Sequence, residues 1–270
     1  MMDWLLAPWS YQFMQTGLAG AVMVAVICGS VGVYVVIRRM AFVSGALAHA
    51  ILPGLVIALI AGVDLFVGAL VAGVVAAVLI ATVSRGGAIR EDTAIGVVMT
   101  SMFALGVGLA TAAGEFRDIT GLLFGDILGV GVGDLVVLAI IGVVALGALA
   151  LFGKELRLAS VDPGQAATAG LSVDRVRLGF LMVVALAVIA GIQSVGVVLT
   201  GALLIVPAAT AVLLARSIGR LMVIAVGVAV LASVVGLYLS FYLSVAAGAA
   251  IVLTCAAIFA GVGGVRWMRR

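Results

Sequence analysis

His49 is the only histidine in this 270-residue chain, and it lies inside a long apolar run. A neutral imidazole is a common ligand for metal cations. An ionisable side chain at membrane depth is costly and by default marks a pathway or a binding site. The structural alternative is a neutral ring hydrogen-bonded to a neighbouring helix. Four residues on stands Pro53, which has no N–H to donate to the His49 carbonyl, so that oxygen is expected to lose its helical partner. Pro207 stands in the same relation to Leu203 in a later apolar run. Irregular backbone at such depth is tolerated where protein or a water-filled cavity satisfies it. Two such places suggest a lined pathway, although proline kinks also occur in purely structural membrane helices. Glu91 and Asp92 open another apolar run. There they can complement a helix dipole, with Asp92 or Thr93 as the cap, or offer a cation an exit at the cytoplasmic end.

Some chemistry is absent. No Gly-x-x-x-x-Gly-Lys-Ser/Thr phosphate loop occurs, because Gly153-Lys154 is followed by Glu155 and lacks the leading glycine. The chain is therefore not expected to hydrolyse ATP or to be an enzyme. A proton-driven carrier usually relays protons through buried carboxylates, yet no Asp, Glu, Lys or Arg lies within the apolar runs away from their ends. Cys28 and Cys255 sit inside apolar runs and read as small core residues.

These residues need membrane helices to hold them. The chain is 66% hydrophobic and 9% charged, with a mean hydropathy of +1.45. A soluble domain carries about 25% charged residues, so a soluble fold is excluded. A crossing takes about 20 apolar residues. Runs at about 16–37, 42–62, 65–84, 93–113, 135–152, 221–241 and 245–265, with two crossings between Arg177 and Arg216, predict an all-α polytopic transmembrane bundle. About eight to nine helices span, and residues 1–270 form a single transmembrane domain.

Of the 14 Lys and Arg, alternation of these spans puts all but Arg117 on one face. By the positive-inside rule the N-terminus is outside and the C-terminus cytoplasmic. The net charge of +3 then belongs to cytoplasmic loops, and no nucleic-acid partner is expected. Between Glu115/Asp118 and Asp134, the short piece 119–132 carries Gly121, Gly125 and Gly129, continued by Gly133. Such a seam predicts a short re-entrant or external helix packed closely into the bundle. In the longest polar break, Asp162 can cap, Pro163 suits the first helical position and Gly170 can end a helix over 163–169.

Four stretches resemble, in order, the permeases of zinc/manganese/iron-type ATP-binding cassette importers of bacteria. They are Phe42-Val-Ser-Gly-Ala-Leu-Ala-His49-Ala-Ile-Leu-Pro53-Gly54, Glu91-Asp92-Thr93-Ala94-Ile95-Gly96, Asp162-Pro163 through Gly170-Leu171, and Gln193 through Ala211 with Pro207. The resemblance implies a permease subunit that imports a divalent transition metal, of the manganese or zinc class, by alternating access. The metal is transported substrate, and no covalently bound cofactor is implied. Implied partners are two permeases paired with themselves or a similar chain, cytoplasmic ATPase subunits, an extracellular metal-binding protein and the lipid bilayer of the bacterial inner membrane. In that scheme His49 lines the metal path, and Asp162, Pro163, Gly164, Gln165, Ala166, Gly170 and Leu171 form the coupling helix that contacts the ATPase. The family commonly has Gly-Asp where this chain has Ser44-Gly45, so the acid one turn before His49 is missing. Asp126 is a candidate substitute. A chelate or organic cofactor as cargo is the alternative that the missing acid favours.

Overall fold

The computed structural model describes residues 10–87, 89–114 and 127–268. Asp126 and residues 119–126 of the glycine-spaced piece therefore lie outside the described residues. The helices in chain order are α1 (Gln12–Ile37), α2 (Val43–Ala50), α3 (Leu52–Ala61), α4 (Leu65–Val83), α5 (Glu91–Ala113), α6 (Val132–Leu151), α7 (Gly153–Val161), α8 (Pro163–Thr168), α9 (Val173–Val195), α10 (Val197–Leu214), α11 (Ile218–Leu243) and α12 (Ala247–Met268). Among the described residues, nine helical stretches are long and apolar enough to cross a membrane, with α2 and α3 together making one. That is the upper of the two expected counts. The region between Arg177 and Arg216 holds the two expected spans, joined at Gly196, whose φ of 89° breaks the helix.

Boundaries shift where polar residues join a helix. Span one begins at Gln12, before the expected residue 16, and α5 begins at Glu91 rather than at residue 93. Arg90 is the residue that caps α5, with no side-chain cap bond, so neither Asp92 nor Thr93 is the cap. Glu91 and Asp92 lie in the first turn, where their charge complements the dipole. The glycine seam also needs correction. Ile127–Gly129 forms a 3-10 turn, and Gly131 N–H donates to Asp134 Oδ2 at 2.9 Å. That bond opens α6 at Val132, so Gly129 and Gly133 do not share one helix.

The helices sort into two compact units. One holds α2 to α5, α6 from Val144, α7, α8 and α9 as far as Ile189; the other holds α1 to Val36, α6 to Val143, the end of α9 and α10 to α12. In the first unit, α3 and α4 are locked by reciprocal small-residue contacts. A Cβ on Gly54 would strike the Gly68 carbonyl and Ala72, and one on Gly68 would strike the Gly54 carbonyl and Ala58. Both helices thus present a small residue every fourth position, which lets backbones touch in lipid, where hydrophobic association gives no advantage. In the second unit α10, α11 and α12 pack on one another, and α1 presses its Gly32 onto the Leu204 carbonyl of α10.

Candidate functional site

Most of α2 is buried: Val43, Ser44, Ala46, Leu47, Ala48 and Ala50 all face protein. Gly45 is exposed and His49 half-buried. Four residues apart on a helix, the two share one face, so the imidazole lies on the open face of α2 and not in a sealed contact. Among the described residues its nitrogens make no hydrogen bond. Its ring meets Phe103 of α5 edge-on, with centroids 5.3 Å apart and planes at 75°. A Cβ placed on Gly45 would meet nothing within 4 Å. The position one turn before the imidazole is therefore open space.

Packing against α5 sets this geometry. A Cβ on Gly106 would stand 2.8 Å from Leu52 Cγ and 2.9 Å from the Pro53 nitrogen, so α5 presses bare backbone onto the break between α2 and α3. One turn back along α5, Phe103 then reaches His49. The break itself differs from expectation. Pro53 does withhold an N–H, but cap N–H groups reach the Leu47 and His49 carbonyls. The backbone closes on itself in a tighter turn, as helix ends commonly do, and leaves His49 its ring rather than a free carbonyl for chemistry.

Pro207 lies inside α10, in the other compact unit from Pro53. It and Leu203 are buried. The helix continues through the proline.

Glu91 is engaged by arginines. Its Oε1 stands 2.6 Å from Arg177 Nε and 3.3 Å from Arg38 Nη2. Arg177 also donates through Nη1 to the Ser84 carbonyl at 2.9 Å and pairs with Asp174 Oδ1 at 3.4 Å, while Asp174 Oδ2 lies 3.7 Å from Arg85 Nε. The Arg38 guanidinium lies over the Phe180 ring, 5.1 Å from its centroid. With side-chain exposures of 8% for Arg38, 16% for Arg177 and 19% for Glu91, the cluster is largely removed from water. Burial pulls the Arg38 pKa below its ordinary value; the Glu91 charge opposes the shift and the Arg177 charge adds to it. Two guanidiniums neutralise the carboxylate a departing cation would need, so the ends of α4, α5 and α9 and the residue after α1 are held by a clasp. The sequence showed Arg38 and Arg177 only as span-end charges.

The break after α7 folds as its residues require. Asp162 Oδ1 accepts the Gln165 N–H at 2.9 Å, and Pro163 occupies the first turn of α8. Gly170 takes φ 82°. Its N–H bonds the Ala167 carbonyl at 3.1 Å, and the Leu171 N–H bonds that of Ala166 at 3.0 Å, the paired bonds of a Schellman ending. Gly164 and Gln165 thus sit on a short, doubly capped helix outside the spans, one residue shorter than expected, and Leu171 follows its end. Among the described residues, no group of three or more His, Cys, Asp and Glu side chains is gathered closely enough to hold a metal ion.

The chain is 38% identical to the manganese transport system membrane protein MntC of Halalkalibacterium halodurans over 93% of its own length and 86% of that protein's. It is 35% identical to a probable iron transport system membrane protein of Haemophilus influenzae, over 96% of each. Against the chelated iron transport system membrane protein YfeD of Yersinia pestis the identity is 34%, over 93% and 85%. The fold is similar to that of PsaBC from Streptococcus pneumoniae in complex with Fab, with a TM-score of 0.83 and 34% identity over 96% of this chain and 94% of that one. With residues 10–263 matching its model, the chain belongs to the ABC 3 transport family.

Proposed function

We propose that this chain is the membrane-spanning permease subunit of an ATP-binding cassette importer that brings divalent transition-metal ions into a bacterial cell by alternating access. The observation that carries the reading is the open face of α2, where Gly45 and His49 stand clear of an otherwise buried helix. One imidazole per chain is no metal cage. A second permease, the same chain or a similar one, would complete the path by facing this surface. Family membership and the relatives named for manganese and iron transport support the cargo class. ATP is hydrolysed on separate subunits that grip Asp162 to Leu171, and an extracellular binding protein delivers the ion. The N-terminus lies outside and the C-terminus in the cytoplasm, in accord with the basic span ends. All 270 residues then serve one permease domain.

The test is uptake of radiolabelled manganese by proteoliposomes holding the assembled importer. His49→Ala is expected to lower uptake about tenfold or more, at least the scale seen when even an outer-shell partner of a metal ligand is lost. Unchanged uptake with intact assembly would remove His49 from the path. A chelated metal is the second reading, favoured by the empty space at Gly45 and by the relative named for chelated iron. It predicts that a chelate competes with manganese for uptake.

A further inference from the structure

We infer that a cavity between the C-terminal end of α6 and the start of α9 is a binding site for a phospholipid with an ammonium headgroup, of the phosphatidylethanolamine kind. The cavity holds about 480 Å³ and is lined by residues drawn from the stretches 148–156 and 170–183, all within one compact unit. Its walls are mostly apolar and include Leu149, Phe152, Val176, Phe180 and Val183. At the polar end stand Glu155 and Arg175. Among the described residues neither has an ion-pair partner, and Glu155 Oε2 is buried without a hydrogen bond. An acid and a base that lack counter-charges fit a ligand carrying both, an ammonium for Glu155 and a phosphate for Arg175.

Depth identifies the rest of the ligand. Val183 lies six residues past Arg177, the last charge at that span end, about 9 Å further along α9 at 1.5 Å per residue and so inside a ~30 Å hydrocarbon core. A water-soluble zwitterion has no group to place there, whereas an acyl chain does. Phe152, 63% exposed, and Leu151 beside it leave the rim of the site apolar where α6 ends. The occupant would touch two parts already described: the Gly170–Leu171 ending of α8 and Phe180, whose ring carries Arg38. The lipid site is thus placed to sense both the short capped helix and the clasp.

The experiment is native mass spectrometry of the purified full-length protein titrated with dioleoyl-phosphatidylethanolamine or dioleoyl-phosphatidylglycerol, the latter having no ammonium. The expected result is about tenfold tighter retention of the ethanolamine lipid, the scale of one charge-assisted hydrogen bond. Glu155→Gln should abolish that preference, and Arg175→Gln should weaken both lipids. A Cβ on Gly179 meets nothing within 4 Å, so Gly179→Leu fills the cavity without striking backbone and should displace both. Equal retention of the two lipids by the unaltered protein overturns the inference. So does a preference that survives Glu155→Gln, including the case where that variant instead loses a copurifying ATPase. If Glu155→Gln fails to fold, the solvent-exposed Arg175→Gln decides: unchanged affinity for both lipids overturns the site.

Discussion

Arg177 Nε lies 2.6 Å from Glu91 Oε1, joining the second turn of α9 to the first residue of α5. The same carboxylate takes Arg38. Removing its charge strands two guanidiniums in partly dry protein. Breaking a buried pair costs about 3–5 kcal/mol, and the residual exposure of these groups reduces that to about 2–3 kcal/mol. Glu91→Gln should lower stability by that amount in thermal or denaturant unfolding of the purified protein, with Glu91→Asp intermediate. Equal stability of Glu91→Gln and the unaltered protein would show that the clasp contributes nothing.

Gly45→Asp places a carboxylate one turn before His49, in space that is open. No clash opposes it, and aspartate is a slightly better helix former than glycine. Under the proposed function, a second ligand on the same face should tighten manganese about tenfold, about 1.4 kcal/mol. Uptake measured against metal concentration checks this, and an unchanged half-saturating concentration would place the path elsewhere.

Gly106 and Gly108 form a controlled pair on α5. Gly106→Ala drives a methyl into Leu52 and the Pro53 nitrogen, an overpacking cost of about 1–3 kcal/mol, and shifts the turn that carries His49. Gly108 faces open space, so Gly108→Ala should be neutral or stabilising by up to about 1 kcal/mol. Thermal midpoints of both, with uptake alongside, distinguish a packing role from mere helix propensity. Equal effects would refute the close contact.

Asp162→Ala removes the side-chain acceptor of the Gln165 N–H. Loss of an N-cap costs about 1 kcal/mol, so amides of α8 should exchange about fivefold faster in hydrogen exchange while those of α10 do not change. If the proposed coupling role holds, the same variant weakens copurification of the ATPase.

Much of this architecture can be read from residue order. Spans follow from runs of about 20 apolar residues between charges, and α8 from Asp162, Pro163 and Gly170, whose effects are local. Even the α2–α3 break follows from Pro53. The partners of Glu91 do not, because they depend on which span ends meet in space, and Arg38 and Arg177 look like any other basic flank. Phe103 is hidden for a different reason. Its helix is apolar nearly all round, so no periodicity distinguishes the residue beside His49 from those facing lipid. Asp126 falls outside the described residues.

The Ser84 carbonyl and the Arg177 guanidinium that takes its hydrogen bond are 93 positions apart in the chain. A ribosome adding about 5–20 residues per second needs roughly 5–20 s to cover that distance. For that interval the nascent α3–α4 hairpin waits in the bilayer with its charged terminus unfinished, and any quality-control protease that surveys insertion has those seconds in which to act.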